Sequence, residues 1–178
     1  MEPQKSEKAE KTENSKKQLW QEYRSLLIRC GVFLLILYLV FSKILFLKQV
    51  EGIDMFPSLK DGDLVLGYRL QKDFQTDDVI AYEEEGRLRF GRVIAQGGDQ
   101  VNINESGEVK VNGVSEGGEI LYPTYDGGNL KYPYQVPENT LFVLGDYRTE
   151  AKDSRSYGAI PMGQVKGKVI TFLRRRGL

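Results

Sequence analysis

The sequence predicts a mainly β domain that follows a single N-terminal apolar helix. Two observations carry this prediction. Residues 26–47 form one long apolar run, whereas the chain after it breaks into short apolar runs bounded by Gly, Asp and Asn. Short runs with such boundaries are typical of strands and tight turns. The 178 residues are enough for one domain and an additional anchor or tail.

The first 25 residues are predicted to form a disordered cytoplasmic tail. Residues 1–17 are rich in Lys, Glu, Gln and Ser and poor in large apolar side chains. A segment of this composition buries too little apolar surface to offset the entropy that ordering would cost.

Residues 26–47, LLIRCGVFLLILYLVFSKILFL, are predicted to form a membrane anchor. About 20 apolar residues in a helix cross a hydrocarbon layer roughly 30 Å thick. Arg29 and Lys43 lie near the ends of the run, where long cationic side chains reach the interface. A cleaved signal peptide is the alternative. No small-x-small pattern follows the run, which favours a retained single-pass anchor.

The charges around this run predict its orientation. Lys16, Lys17 and Arg24 precede it, although Lys43 and Lys48 weaken the asymmetry. The positive-inside rule then predicts a cytoplasmic N-terminus and an extracellular domain over residues 48–178. An exported domain without disulfides fits the surface of a Gram-positive bacterium better than an oxidising periplasm.

Alternation and turn residues predict where the strands of the domain lie. The predicted strands are Leu64 to Tyr68, Val79 to Tyr82, Leu88 to Ala95, Val101 to Asn104, Val109 to Val114, Leu141 to Leu144 and Val165 to Leu173. Asn112-Gly113 predicts a type I′ hairpin turn, because both central residues of that turn need positive φ. The Gly- and Tyr-rich stretch from Ser115 to Glu138 is either a surface excursion or a binding loop.

Composition excludes several classes of function. The 25 basic and 25 acidic residues balance, so no field of one sign attracts nucleic acid. The absence of His removes His-dependent triads and the commonest transition-metal ligand. Cys30 is the only Cys, so the chain can form neither an internal disulfide nor a thiolate metal site. We therefore expect no metal and no other cofactor.

Three segments carry a resemblance to a known family. Residues 50–63 read VEGIDMFPSLKDGD, residues 90–99 read FGRVIAQGGD, and residues 144–161 read LGDYRTEAKDSRSYGAIP, with GKV at 167–169. In this order, behind an N-terminal anchor, they resemble the conserved boxes of type I signal peptidases. The resemblance covers most of the domain and implies a signal-peptidase-like β fold.

The resemblance also identifies the positions of the catalytic residues. The family uses a serine whose proton is taken by a buried neutral lysine, a Ser-Lys variant of triad chemistry. Asp54 stands at the serine position and Gly91 at the lysine position. Ala151 replaces the serine that orients the lysine, and Tyr147 replaces an Asn. We therefore expect a catalytically inactive relative that is not an enzyme.

Several other side chains are alternatives to the missing dyad. An aspartic pair of Asp54 with Asp146 or Asp153 is one alternative, since two close carboxylates can share a proton. Further candidates are the hydroxyls of Ser58 and Ser154 as nucleophiles and Lys152 as a base. An active signal peptidase with such a relocated site is the alternative function.

The family scaffold implies a groove that holds an extended peptide between two strand edges. By resemblance these edges are Gln49 to Gly52 and Leu88 to Gly91. The residues expected to line the groove are Val50, Gly52, Met55, Leu59, Leu88 and Phe90, although Leu59 and Leu88 also fit ordinary core positions. The resemblance also implies that Asp153 forms structural ion pairs with Arg155 and Arg92.

Signal-peptidase-like proteins without the dyad are known beside pilus gene clusters of Gram-positive cocci. The resemblance therefore implies a membrane-anchored adaptor or chaperone for an extended polypeptide. Its expected partner is a pilin subunit, a sortase, or both.

Overall fold

The structure is a computed structural model that describes residues 3–117 and 121–174. It separates the chain into a helical unit that ends at Ser42 and a β unit that begins at Lys43.

The helical unit contains α1 (Pro3–Leu39) and the first part of a π-helical turn (Val40–Ile44), which continues into the β unit. Helix therefore replaces the disordered tail that was predicted for residues 3–25. From Gln4 to Cys30 the sequence contains no Gly or Pro, and its Lys, Glu and Gln residues are good helix formers.

The candidate membrane span is Leu19–Ile44, 26 residues with a mean hydropathy of 2.2. It is the one helix in the described part of the chain that is long and apolar enough to cross a membrane. The predicted anchor extended too far, because Leu45 to Leu47 belong to the first strand.

The β unit contains eleven strands in the described residues. They are β1 (Leu45–Gln49), β2 (Leu64–Tyr68), β3 (Val79–Glu84), β4 (Arg87–Gln96), β5 (Gln100–Ile103), β6 (Val109–Val111), β7 (Val114–Ser115), β8 (Tyr134–Gln135), β9 (Thr140–Leu144), β10 (Ile160–Pro161) and β11 (Val165–Leu173). A short helix, α2 (Ser154–Tyr157), and a 3₁₀ turn (Met162–Gln164) lie between β9 and β11.

The strands form two antiparallel sheets. The larger has the order β1-β2-β11-β3-β4-β9-β10 and the smaller has the order β7-β6-β5-β8. The mainly β fold behind an N-terminal apolar helix is thus confirmed. The predicted hairpin turn is present, because Asn112 and Gly113 have φ of 51° and 83°. Three strands, β1, β8 and β10, were missed, since two of them are only two residues long and β1 continues an apolar run. The predicted strand Val109 to Val114 is divided by the turn into β6 and β7.

Three buried clusters form the core of the β unit. One joins β4 and β9 of the larger sheet to β5 and β6 of the smaller. Another consists of Phe46, Val50, Met55, Leu59, Val65, Ala81 and Phe90. The third includes Ile80, Tyr82, Val93 and Val143. β4 contributes to all three, so its position is fixed on both of its faces.

Candidate functional site

A groove of about 350 Å³ lies between residues 50–55 and the first four residues of β4. It is lined by Val50, Glu51, Gly52, Ile53, Asp54, Met55, Arg87, Leu88, Arg89 and Phe90. These include five of the six residues that were expected to line it. The sixth, Leu59, is 3% exposed and packs in the core beneath. Leu59 therefore lines a separate cavity and not the groove.

The β4 wall of the groove is an open strand edge. A two-residue turn joins β3 to β4, and its residues Glu85 and Gly86 have φ of 51° and 73°, which is type I′ geometry. The residues that flank such a turn form a hydrogen-bonded pair, and hydrogen-bonded pairs then alternate with non-hydrogen-bonded ones. This alternation turns the backbone N–H and C=O groups of Leu88 and Phe90 away from β3. In the described part of the chain, no strand pairs with that edge before Arg92 meets Leu144.

The opposite wall follows the end of β1. Gln49 lies opposite Leu64 in the sheet, and Val50 donates to the Asp63 carbonyl oxygen at 2.8 Å. Gly52 N–H donates to Asp61 Oδ1 at 2.9 Å. Since alternate residues of an extended segment point opposite ways, the backbone of Glu51 faces the groove. The open edge on this side is therefore shorter than the predicted Gln49 to Gly52.

Asp54 lies at one end of this wall and forms an ion pair across the groove. Arg89 Nη1 donates to Asp54 Oδ2 at 3.2 Å, and the two side chains are 15% and 27% exposed, respectively. The sequence interpretation missed Arg89. The signal was available, because Arg89 and Gly91 are two residues apart on β4 and share a face. A cation therefore pairs with residue 54, but it lies two residues before the lysine position on the strand.

The backbone beneath Asp54 is held by the loop after β9. Tyr147 N–H donates to the Asp54 carbonyl oxygen at 3.0 Å. A Cβ on Gly145 would lie 2.5 Å from that same oxygen and 2.4 Å from Ala151 Cβ. Glycine at position 145 thus permits the close approach of the two segments. Ala151 lies beside this contact and offers no hydroxyl to orient a neighbour.

Other side chains fill the space beside Gly91. A Cβ at this position would lie 2.4 Å from Val143 Cγ1 and 3.3 Å from Tyr82 Cε1. The hydroxyl oxygens of Tyr82 and Tyr157 are 2.6 Å apart, and Tyr157 donates to the Lys152 carbonyl oxygen. Burial raises the pKa of Tyr82 and of Tyr157 well above the ordinary value. Both hydroxyls therefore stay protonated near neutral pH, and neither supplies a base there.

The structural ion pairs differ in part from the expected set. Asp153 accepts hydrogen bonds from Arg155 Nε and Nη2, each at 2.8 Å, and from Gly145 N–H at 3.0 Å. Arg92 does not join them but holds Asp146 through two hydrogen bonds of 2.8 and 2.7 Å. The prediction that Arg92 pairs with Asp153 is therefore wrong, because the loop after β9 brings Asp146 to it.

The structure also shows where each of the alternative catalytic groups lies. Asp146 and Asp153 are each paired with an arginine of their own, so neither shares a proton with Asp54. Ser154 is fully buried, and its hydroxyl oxygen accepts from Val143 N–H at 3.0 Å. Lys152 is half exposed and pairs with Glu85 at 3.2 Å. Ser58 lines a separate cavity.

A second buried network, which the sequence did not predict, is centred on Arg148, the residue after Tyr147. Arg148 is 3% exposed. Its guanidinium donates to both carboxylate oxygens of Glu116, to Thr124 Oγ1 at 2.8 Å and to the Gly145 carbonyl oxygen at 3.0 Å. This network links residues 116 and 124 to the loop after β9, whose backbone contacts Asp54. Among the described residues, no group of three acidic, Cys or His side chains could hold a metal ion.

Comparisons with known proteins identify a family for this chain. The family model described as signal peptidase, peptidase S26, matches residues 20–173. Signal peptidase IB of Staphylococcus aureus strain Mu50 is 28% identical over 163 residues, which cover 80% of this chain and 85% of that protein. A crystal structure of a signal peptidase I from Enterococcus faecalis V583 is 28% identical, with a TM-score of 0.45; the match covers 56% of this chain and 98% of that one.

A plant relative is also similar. Thylakoidal processing peptidase 1, chloroplastic, of Arabidopsis thaliana is 28% identical over 141 residues, 69% of this chain. The match spans about 40% of the length of that relative.

These comparisons correct one expectation. The relatives are named as peptidases and the family points to an enzyme, so the prediction that the chain is not an enzyme is contradicted. The match to the family model extends through the candidate membrane span and both walls of the groove. The chain belongs to the signal peptidase family, peptidase S26.

Proposed function

We propose that the chain binds an extended segment of an exported polypeptide in the groove between residues 50–55 and 87–90. The observation that carries this proposal is the open edge of β4 at Leu88 and Phe90, which faces the groove. A peptide that adds to a strand edge gains backbone hydrogen bonds whatever its sequence, and alternate side chains enter pockets. The apolar walls suit small or apolar side chains at those positions.

The ion pair at the end of the groove adds polar recognition to this surface. Asp54 Oδ1 is free of hydrogen bonds from described residues, and Arg89 uses one of its five N–H groups on Asp54. The pair can therefore accept one backbone N–H of the peptide and donate to one carbonyl oxygen. Charge-assisted hydrogen bonds of this kind are stronger than neutral ones and fix the register of the bound segment.

Hydrolysis of the bound peptide is the reaction to which the family points. Positions 54 and 91 supply neither a hydroxyl nor an amine, so the candidate group is the Asp54 carboxylate. In such a reaction it would take a proton from water while the water oxygen attacks the peptide carbonyl carbon. The C–N bond would then break and the proton would pass to the leaving amine. Arg89 lies where it could stabilise charge on the carbonyl oxygen.

The partner that we propose is a pilin subunit, which the chain would hold for a sortase on the surface of a Gram-positive bacterium. Two of the relatives described above come from such bacteria, Staphylococcus aureus and Enterococcus faecalis. The chain would then cross the membrane once, with its N-terminus in the cytoplasm and the β unit outside. Deletion of the gene should abolish the pilus polymer, and a Leu88→Asp copy should fail to restore it.

Binding is tested with the full chain in nanodiscs and a fluorescein-labelled peptide that contains Ala-Leu-Ala. Leu88→Asp should weaken binding at least tenfold, because a bound peptide would then cover and desolvate a carboxylate where it now meets an apolar side chain. The matched control is Leu70→Asp, since Leu70 is 54% exposed and lies outside the groove. N-methylation of the central peptide amides should weaken binding similarly, whereas the same methyl groups near the ends should not.

The same samples separate binding from hydrolysis. Products are followed by mass spectrometry, with Asp54→Asn as the variant that removes the proposed base. If Asp54 is the base, this substitution should lower the rate of hydrolysis of the bound peptide about 10²- to 10⁴-fold. Equal peptide binding by the unchanged chain and a folded Leu88→Asp variant would refute the groove as the binding site.

A further inference from the structure

Three aromatic rings form a continuous row that begins next to the groove. The ring centroids of Phe56 and Tyr147 are 5.7 Å apart, and those of Tyr147 and Tyr122 are 4.8 Å apart. The interplanar angles are 55° and 49°, the tilted arrangement that favours contact between ring edge and face. We call these three residues the aromatic row. The rings come from three separate segments of the chain.

The row adjoins the Asp54 end of the groove. Tyr147 donates its backbone N–H to the Asp54 carbonyl oxygen at 3.0 Å, and Phe56 follows Asp54 by two residues. None of the three rings belongs to the groove lining. A polypeptide that runs along residues 50–54 and continues in the same direction would therefore leave the groove toward the row.

Buried contacts hold the row in place before any ligand binds. Arg148 directly follows Tyr147, and its guanidinium binds Glu116 and Thr124 on either side of Tyr122 in the sequence. Thr124 is fully buried and Arg148 is 3% exposed. The segment that carries Tyr122 is thus tied to the loop that carries Tyr147. A surface that is already ordered loses less entropy when it binds.

The row remains partly open although it is ordered. Each of its three rings is half-buried. Leu121, next to Tyr122, is 56% exposed. Aromatic side chains in this state are enriched in binding surfaces, because they offer a large rigid apolar face at little entropic cost.

We propose that the aromatic row is a second binding subsite, which takes an apolar or aromatic side chain of the polypeptide just beyond Asp54. This rests on the proposed function, because the groove must deliver the polypeptide to the row. An extended chain places side chains of one face about 6.6 Å apart, and the row presents three rings whose neighbouring centroids are 5.7 and 4.8 Å apart. One or two successive side chains of that face can therefore lie on the rings.

The test compares two fluorescein-labelled peptides on the full chain in nanodiscs. Both contain Ala-Leu-Ala, followed by a five-residue extension with either Phe or Ser at alternate positions. The unchanged chain should bind the Phe peptide about five- to tenfold more tightly than the Ser peptide. Tyr122→Ser and Tyr147→Asn should each remove most of this preference and leave the affinity for the Ser peptide unchanged.

Two further variants serve as controls. Tyr125→Ser should keep the preference, because Tyr125 lies on the same segment but outside the row, and the hydrogen bond from Arg155 goes to its backbone oxygen, which the substitution retains. Tyr147→Phe should also keep it, since the ring remains. Melting curves identify any variant that fails to fold. If Tyr147→Asn does not fold, Tyr122→Ser decides the result.

The outcomes separate this proposal from the one on which it rests. If the unchanged chain binds both peptides equally, or if Tyr122→Ser keeps the full preference, the row is packing for the loop and the subsite is refuted while the groove stands. If neither peptide binds, both proposals fail. Empty nanodiscs measure the affinity of the Phe peptide for lipid, and a preference of the same size there would also refute the subsite.

Discussion

Side-chain packing at Gly91 makes a strong prediction about rebuilding a Ser-Lys dyad. A Cβ at this position would lie 2.4 Å from Val143 Cγ1, more than 1 Å inside the optimal carbon–carbon separation of about 3.5–4.0 Å. Overpacking of a core commonly costs about 1–3 kcal/mol. We therefore expect Gly91→Ala to lower the free energy of unfolding by about that amount, before any longer side chain is introduced.

The assay is a double-mutant cycle in chemical or thermal unfolding. Val143→Ala removes the contacting methyl group, so Gly91→Ala should cost at least about 1 kcal/mol less in that background than in the unchanged chain. Gly163→Ala is the matched control, because a Cβ there has no neighbour within 4 Å. It should change stability by less than about 0.5 kcal/mol. A neutral Gly91→Ala, or full additivity with Val143→Ala, would refute the packing account.

The consequence for catalysis follows from the same contact. Asp54→Ser combined with Gly91→Lys should not raise peptide hydrolysis above that of the unchanged chain. Val143 and Tyr82 displace the new lysine, and Ala151 cannot orient it. A misplacement of about 1 Å can cost roughly a hundredfold in rate. Addition of Val143→Ala and Ala151→Ser should recover activity, and family-like turnover by the simple double variant would contradict this reasoning.

Three other predictions concern buried groups. Phe90 is 5% exposed within a core cluster, so Phe90→Arg should unfold the β unit in circular dichroism rather than merely block the groove, whereas Leu88→Asp should stay folded. Arg148→Met should cost about 3–5 kcal/mol in denaturant unfolding, because it leaves the Glu116 carboxylate buried without its partner; adding Glu116→Gln should recover part of that loss. Burial raises the pKa of Tyr82 in the folded state, so its stabilising contribution is complete below the ordinary pKa of about 10 and declines as pH rises above it. Unfolding curves between pH 8 and 11 should therefore show falling stability, with a shallower fall in Tyr82→Phe; an equal slope would refute this role.

The sequence by itself determined the elements whose signals are local. Hydropathy located the apolar helix, and alternation located strands such as Leu64–Tyr68 and Val165–Leu173 with their observed bounds. The Asn112-Gly113 turn followed from φ preferences alone. The order of three motifs indicated the family and brought Asp54 and Gly91 to the same region. The helix, the strands and the turn depend on residues that are neighbours in the chain, and the family resemblance depends on the order of the motifs along it, so the printed sequence contains the necessary information.

Only the tertiary structure decided which side chains meet. Arg89 pairs with Asp54 across 35 positions, and Arg92 pairs with Asp146 across 54. Leu59 turns into the core rather than the groove, and Val143 takes up the space beside Gly91. Charge and hydropathy are alike for several possible partners, so composition cannot choose among them. The choice depends on sheet register and on the loop after β9, which are set by contacts between distant segments.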